Sequence, residues 1–161
     1  MIGLEAENIL YIQLEYLLRI AIACVLGTAI GHERRNRNKS AGIRTHAIVA
    51  MGSALMMIVS KYGFADVADY DASRVAAQIV SGVGFLGAGM IFVRNNLVNG
   101  LTTAAGIWAT AGIGMAIGAG LYLISIGAAV MIIIAQEITH RVSFFAHAAS
   151  GGSLRLTLVQ K

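Results

Sequence analysis

Residues 101–135, LTTAAGIWATAGIGMAIGAGLYLISIGAAVMIIIA, run for 35 positions without a charged side chain. As one unbroken helix, at ~1.5 Å per residue, the stretch would be about 52 Å long. The hydrocarbon core of a bilayer is only ~30 Å thick. The segment must therefore fold back on itself, and Gly118-Ala119-Gly120 is the natural turn, because glycine relaxes the backbone limits there. The reading is a helical hairpin over 101–117 and 121–138.

Working upstream, residues 74–93 form a span with Gln78 as its main polar side chain, and residues 43–60 form another, entered through Arg44, Thr45 and His46. The first span is less clean. Residues 20–30 are uncharged, but a crossing needs about 20 residues. The helix must then extend back to about residue 10, which places Glu15 and Arg19 inside it. The composition agrees. The chain is 57% hydrophobic and 12% charged, with 19 glycines and no proline in 161 residues. A soluble domain is roughly 25% charged, and a disordered chain is polar and charge-rich, so both classes are excluded. A secretory signal peptide is rejected because Glu5, Glu7 and Glu15 stand where such a peptide carries positive charge. The lone Cys24 allows no internal disulfide.

The charges then orient the spans. Arg34, Arg35, Arg37, Lys39 and Arg44 lie between helices one and two, Arg94 between three and four, and Arg141, Arg155 and Lys161 after helix five. The opposite side holds only Lys61 and Arg74, with Asp66, Asp69 and Asp71 between them. Basic loops stay cytoplasmic, so the N-terminus is expected outside and the C-terminus inside. This topology and contact with anionic lipid account for the net charge of +4, and nucleic acid is not expected as a partner. A membrane domain over 1–145 and a short cytoplasmic tail over 146–161 follow. In the tail, residues 154–159 alternate as a strand would, read either as the first strand of a further domain or as a flexible end.

Several residues carry candidate function. Glu15 and Arg19 are four apart and share a helix face. A charge at mid-bilayer costs about 2.5–3.5 kcal/mol on insertion scales. Pairing inside the bundle offsets that cost, as does snorkelling of Arg19 to the outer surface. Asp71 opens helix three, where it suits an N-cap, and Arg74 and Gln78 share a face. Glu15, Arg19, Asp71, Arg74 and Gln78 are thus expected as one intramembrane polar cluster in the outer half, with ordinary capping and interhelical bonding as the alternative. Glu33, Arg34, Arg44 and Thr45 are read into a cytoplasmic basic loop facing headgroups or an acidic partner, and Arg94 and Asn95 into a second cytoplasmic loop. Gly82, Gly84, Gly87 and Gly89 form a formal G-x-G-x-x-G without the preceding strand that a dinucleotide site requires. They read as helix packing or as an irregular helix lining a cavity. Gly27 and Gly31 form a G-x-x-x-G on helix one. Helices two and four open similarly, at Gly42-Ile43-Arg44-Thr45 and Gly100-Leu101-Thr102-Thr103, as an internal repeat would or as chance in Gly/Ala-rich sequence. The four histidines show no zinc spacing, no nucleophile motif is present, and no metal, cofactor or catalysis is expected.

Three blocks then resemble the MgtC/SapB family of bacterial inner-membrane proteins. They are Gly31, Glu33 and Arg34 with Ala41-Gly42-Ile43-Arg44-Thr45 and Val49; Asp71, Arg74 and Ala76-Ala77-Gln78 with Gly82 and Gly84-Phe85-Leu86-Gly87-Ala88-Gly89; and Val98, Gly100-Leu101-Thr102-Thr103-Ala104-Ala105, Trp108, Ala111 and Gly114. The resemblance implies a role in growth under magnesium limitation and, in pathogens, survival inside macrophages. It also implies regulation of the F-type ATP synthase and membrane potential, and a soluble domain after helix five in many members. The expectation is an all-α polytopic transmembrane bundle of five helices in the bacterial inner membrane, non-catalytic, homo-oligomeric as a dimer or bound to another membrane complex. The rival is a cation or small-solute transporter or channel through the outer polar cluster, and a third reading is a lipid- or small-molecule-binding protein using the basic loop.

Overall fold

The computed structural model describes residues 2–36, 40–64, 66–94 and 96–150. The chain is an all-α bundle. Helices α1 (Ile2–Asn36), α2 (Ile43–Tyr62) and α3 (Ala72–Ala88) are followed by a short hairpin of β1 (Phe92–Arg94) and β2 (Leu97–Asn99), then α4 (Leu101–Gly118) and α5 (Tyr122–Ser150). Four of the five helices, α1, α2, α4 and α5, are long and apolar enough to cross a membrane. The fifth, α3, has 17 residues, or about 25 Å at helical rise.

The sequence-predicted turn after α4 is present and has a clear mechanism. Gly120 takes a φ of +89°, open to glycine and strained for other residues. Leu121 N–H donates to Ala116 O at 2.8 Å and Gly120 N–H to Ile117 O at 2.9 Å. These are the paired bonds of a Schellman stop. At α3, Asp71 accepts from Ser73 N–H at 2.9 Å as the expected N-cap, and Ser60 of α2 bonds the Ala72 carbonyl, pinning that end to the bundle.

Three expected boundaries are corrected. Helix one was expected over 10–31 but extends from Ile2 to Asn36, which moves Glu33 and Arg34 from a loop into the last turns of a helix. Helix five runs on to Ser150. Helix three was expected to reach residue 93 but ends at Ala88. Gly87 and Gly89 weaken the helix there. Val93 and Val98 instead face each other across the hairpin, where β-branched side chains are at ease, and Asn96 supplies a positive φ of 60° at its turn. Arg94 lies exposed on β1, and Asn95, Arg37, Lys39 and the 154–159 strand lie outside the described residues.

Close packing centres on α2. Its Ala50 and Ala54 are fully buried, with α1 on one side and α4 on the other. A methyl added to Gly27 would come within 2.5 Å of the His46 carbonyl, and one on Gly31 within 2.6 Å of Ile43 Cα. On α4, Gly114 meets the Ala50 carbonyl, and a methyl on Gly118 would come within 2.5 Å of Ala54 O. The glycines expected to pack on α3 behave differently. An added methyl meets nothing within 4 Å at Gly82 or Gly84, Gly87 makes ordinary contact with Ala104 of α4, and Gly89 meets only carbonyls of its own chain segment, Leu86 and Phe85. Gly82 instead lines a groove between α2 and α3 of about 440 Å³, walled by Ile48, Gly52, Val75, Gln78 and Leu86 among others.

Candidate functional site

Two arginines on α1, Arg19 and Arg34, are buried at opposite ends of the bundle, 7% and 3% exposed. Fifteen residues separate them, which is about 22 Å along the helix. The polar chemistry of the described residues gathers around these two.

Arg19 is held from four helices, its own included. Its Nη2 donates to Glu15 Oε1 at 2.5 Å, one turn back on α1. Its Nε donates to Glu15 Oε1 at 3.2 Å and to Tyr122 OH at 3.1 Å. Its Nη1 donates to Tyr62 OH at 3.1 Å and to the Gly118 carbonyl at 2.9 Å. The guanidinium carbon also lies 5.4–5.9 Å from the ring centres of Tyr16, Tyr62 and Tyr122, within cation–π range. Tyr16 and Tyr62 stack with centroids 4.8 Å apart. Two effects offset burial of this cation: the nearby Glu15 carboxylate, and the free carbonyls at the C-terminus of α4, the negative end of its dipole. Lys61 adds to the second by donating to Ala119 O at 3.0 Å. Gly120 leaves room for the guanidinium, since an added methyl would sit 3.4 Å from Nη2.

The structure therefore brings Glu15 and Arg19 together and leaves the other three members of the expected cluster elsewhere. Asp71 caps its own helix, exposed, and Arg74 is exposed near the same helix start. Gln78 lines the α2–α3 groove. Spacing of four places Arg74 and Gln78 on one face of α3, but that face does not meet Arg19. The partners missing from the sequence reading were Tyr16, Tyr62 and Tyr122. Tyr16 and Tyr62 were visible only as aromatic residues near predicted span ends.

At the other end, Arg34 Nη2 donates to Thr103 Oγ1 of α4 at 3.4 Å, a long hydrogen bond. Beside it His46 of α2 is fully buried, its Nδ1 3.0 Å from the Gly42 carbonyl. Arg44 and Thr45 are exposed at the start of α2, so the expected basic group divides into a buried and a surface part. Neither histidine-rich nor carboxylate-rich metal geometry occurs: among the described residues, no three His, Cys, Asp or Glu side chains come together.

Between the two ends lies an apolar waist. Ala23, Ala50, Ala54 and Ile117 form one buried cluster, and Ile30, Ile113 and Ala129 another. The buried hydroxyls of Thr110 and Ser125 donate back to the Gly106 and Leu121 carbonyls of their own helices, at 2.8 and 2.7 Å. That local bonding turns both hydroxyls back onto their own helices.

Comparison with known proteins agrees with this architecture. The chain is 53% identical over 135 residues to the "Putative magnesium transporter YhiD" of Escherichia coli K12, covering 81% of this chain and 63% of the relative. It is 41% identical over 133 residues to protein SapB of Bacillus subtilis, covering 79% and 57%, and 43% identical over 121 residues to protein MgtC of Salmonella typhimurium, covering 75% and 51%. The chain thus spans less than two thirds of the length of these relatives. No solved structure matches it. The model of the MgtC family matches residues 20–145, a stretch that begins one residue after Arg19 and contains Arg34 and the glycine-tight waist, and the protein belongs to the MgtC family.

Proposed function

We propose that this protein is a non-catalytic, multi-pass module of the bacterial inner membrane that serves magnesium homeostasis by contacting membrane partners rather than by carrying an ion through its own bundle. The observation that supports this reading is the apolar waist between Arg19 and Arg34. A cation pathway needs polar ligands at every step of the crossing, because an isolated ion in a medium of low dielectric is strongly disfavoured. Here the middle layer is mainly Ala and Ile sealed by glycine contacts, with the hydroxyls of Ser53 and Thr110 its buried polar groups and that of Thr110 bonded back to its own helix, and the one deep charge at the first end is a cation already bonded on every nitrogen. The link to magnesium rests on membership of the MgtC family and on the printed name of the YhiD relative. The partner is a second copy of this chain or another membrane complex, with the ATP synthase as the first to examine. The orientation with both termini as the basic loops demand is part of the same proposal.

The test is reconstitution of the chain in proteoliposomes loaded with a magnesium indicator. The expected result is magnesium entry no faster than in empty vesicles, while the chain restores growth of a deletion strain in low magnesium. Saturable entry that disappears with Arg19→Ala would overturn the proposal and establish the transporter reading.

A further inference from the structure

The Arg34 end contains three polar side chains that α1, α2 and α5 bring to one place. Arg34 Nε, His46 Nε2 and Gln136 Oε1 are buried and have no hydrogen-bond partner among the described residues. His46 is fully buried and Arg34 is 3% exposed. Arg34 Nε and His46 Nε2 converge over Gly106 of α4, and the Gln136 amide meets them there through its Nε2 end. The position a methyl would take on Gly106 lies 3.6 Å from His46 Nε2, 3.7 Å from Gln136 Nε2 and 3.9 Å from Arg34 Nε. Four helices thus surround one atom-sized space, and the glycine keeps it open.

The chemistry of the lining selects the occupant. Arg34 Nε–H can only donate. His46 Nδ1 sits 3.0 Å from the Gly42 carbonyl, which only accepts, so the proton of the neutral ring is on Nδ1 and Nε2 is an acceptor. Gln136 presents its amide Nε2–H, a donor, to the same point. A molecule here must accept hydrogen bonds from Arg34 and Gln136 and donate one to His46, at the size of a single heavy atom. A halide can accept but not donate, and leaves His46 Nε2 unsatisfied. A divalent cation meets Arg34 beside the Glu33 carboxylate, and among the described residues no three His, Cys, Asp or Glu side chains come together to hold one.

We propose that Arg34, His46, Gln136 and Gly106 form a binding site for one buried water, which accepts from Arg34 Nε–H and Gln136 Nε2–H and donates to His46 Nε2. Three such bonds are what an internal water commonly makes. The water then ties α1, α2 and α5 together, and makes Gly106 a required residue at a position that tolerates a methyl sterically.

Gly106→Ala tests this, because steric and hydration effects on stability have opposite signs. The new methyl is in ordinary contact distance of its neighbours, and alanine favours a helix over glycine. Gly112→Ala is the control on the same helix, where an added methyl meets nothing within 4 Å. With the whole chain in detergent, Gly112→Ala is expected to keep or raise the melting midpoint and Gly106→Ala to lower it by roughly 4 °C. Imidazole ¹⁵N NMR of the unmodified chain supplies an independent measurement: His46 should carry its proton on Nδ1, with Nε2 shifted by a hydrogen bond and exchanging magnetisation with water. A Gly106→Ala midpoint as high as the control, a proton on Nε2, or a midpoint that rises on adding bromide in place of a non-coordinating anion would each overturn the proposal.

Discussion

Arg19 and Arg34 lie on the same helix, are buried to a similar degree, and have opposite surroundings. Arg19 has all three nitrogens bonded, a carboxylate one turn away and three aromatic rings around it. Arg34 has one long bond to a neutral hydroxyl and a bare Nε. The difference follows from what each meets. Arg19 sits against the C-terminus of α4, whose last carbonyls need donors and whose dipole favours a cation. Arg34 sits near the N-terminus of α4, where unpaired groups are N–H donors and the dipole disfavours a cation. One residue type on one helix therefore serves as an end-cap at one side and as part of an unsaturated polar junction at the other.

The comparison can be broken in order of effect size. The waist that separates the two ends should be least tolerant. Gly114→Val drives a branched side chain into the Ala50 backbone, with an expected loss of about 4 kcal/mol or more, read as failure to accumulate a monodisperse protein in detergent. Gly84→Ala, where an added methyl meets nothing, should leave the yield unchanged. Next comes Arg19→Ala, which strands the Gly118 carbonyl and two tyrosine hydroxyls at an expected cost of about 2–4 kcal/mol in thermal unfolding. Arg19→Lys should recover only part of it, since an ammonium cannot reproduce the planar fork. Arg34→Ala removes one long bond and should cost about 1–2 kcal/mol. A loss equal to that of Arg19→Ala would show the two ends to be equivalent and remove the contrast. Glu15→Gln should cost less than either arginine change, because Glu15 is about half exposed and screened.

The smallest effect is at Asp71, near the Arg19 end but outside its cluster. The hydrogen bonds from Ser73, side chain and backbone, hold its carboxyl below its ordinary value of 3.8. A carboxyl lowered on folding adds stability that is fully present above its unfolded value and lost as pH falls through the folded one. The melting difference between the unmodified chain and Asp71→Asn should be constant at neutral pH and shrink once pH drops below 3.8. A difference that grows on acidification would place Asp71 in a different environment.

Much of the architecture was legible along the chain. The charge-free stretch over 101–135 foretold both the α4–α5 hairpin and the glycine stop at Gly120, and the Glu15–Arg19 spacing foretold their ion pair. Each depends on residues within one helical turn or one span. The hairpin at Phe92–Asn99 was missed because its apolar residues fit a helix of membrane length as well as they fit strands. Tyr122 was missed as a partner because it is 103 positions from Arg19, and helix rotation alone decides whether its hydroxyl faces inward. Asp71, Arg74 and Gln78 were grouped correctly on one helix start, but nothing in their spacing says which neighbour that face meets.

Sequence alone settled that this chain lives in lipid as helices, because hydrophobic length and local backbone bonding are properties of consecutive residues. Tertiary packing decided which glycines bring backbones together, which arginine is saturated and which polar atoms converge over Gly106. Those outcomes depend on how helices are rotated and offset against one another, and a few ångströms there separate a hydrogen bond from an unmet donor.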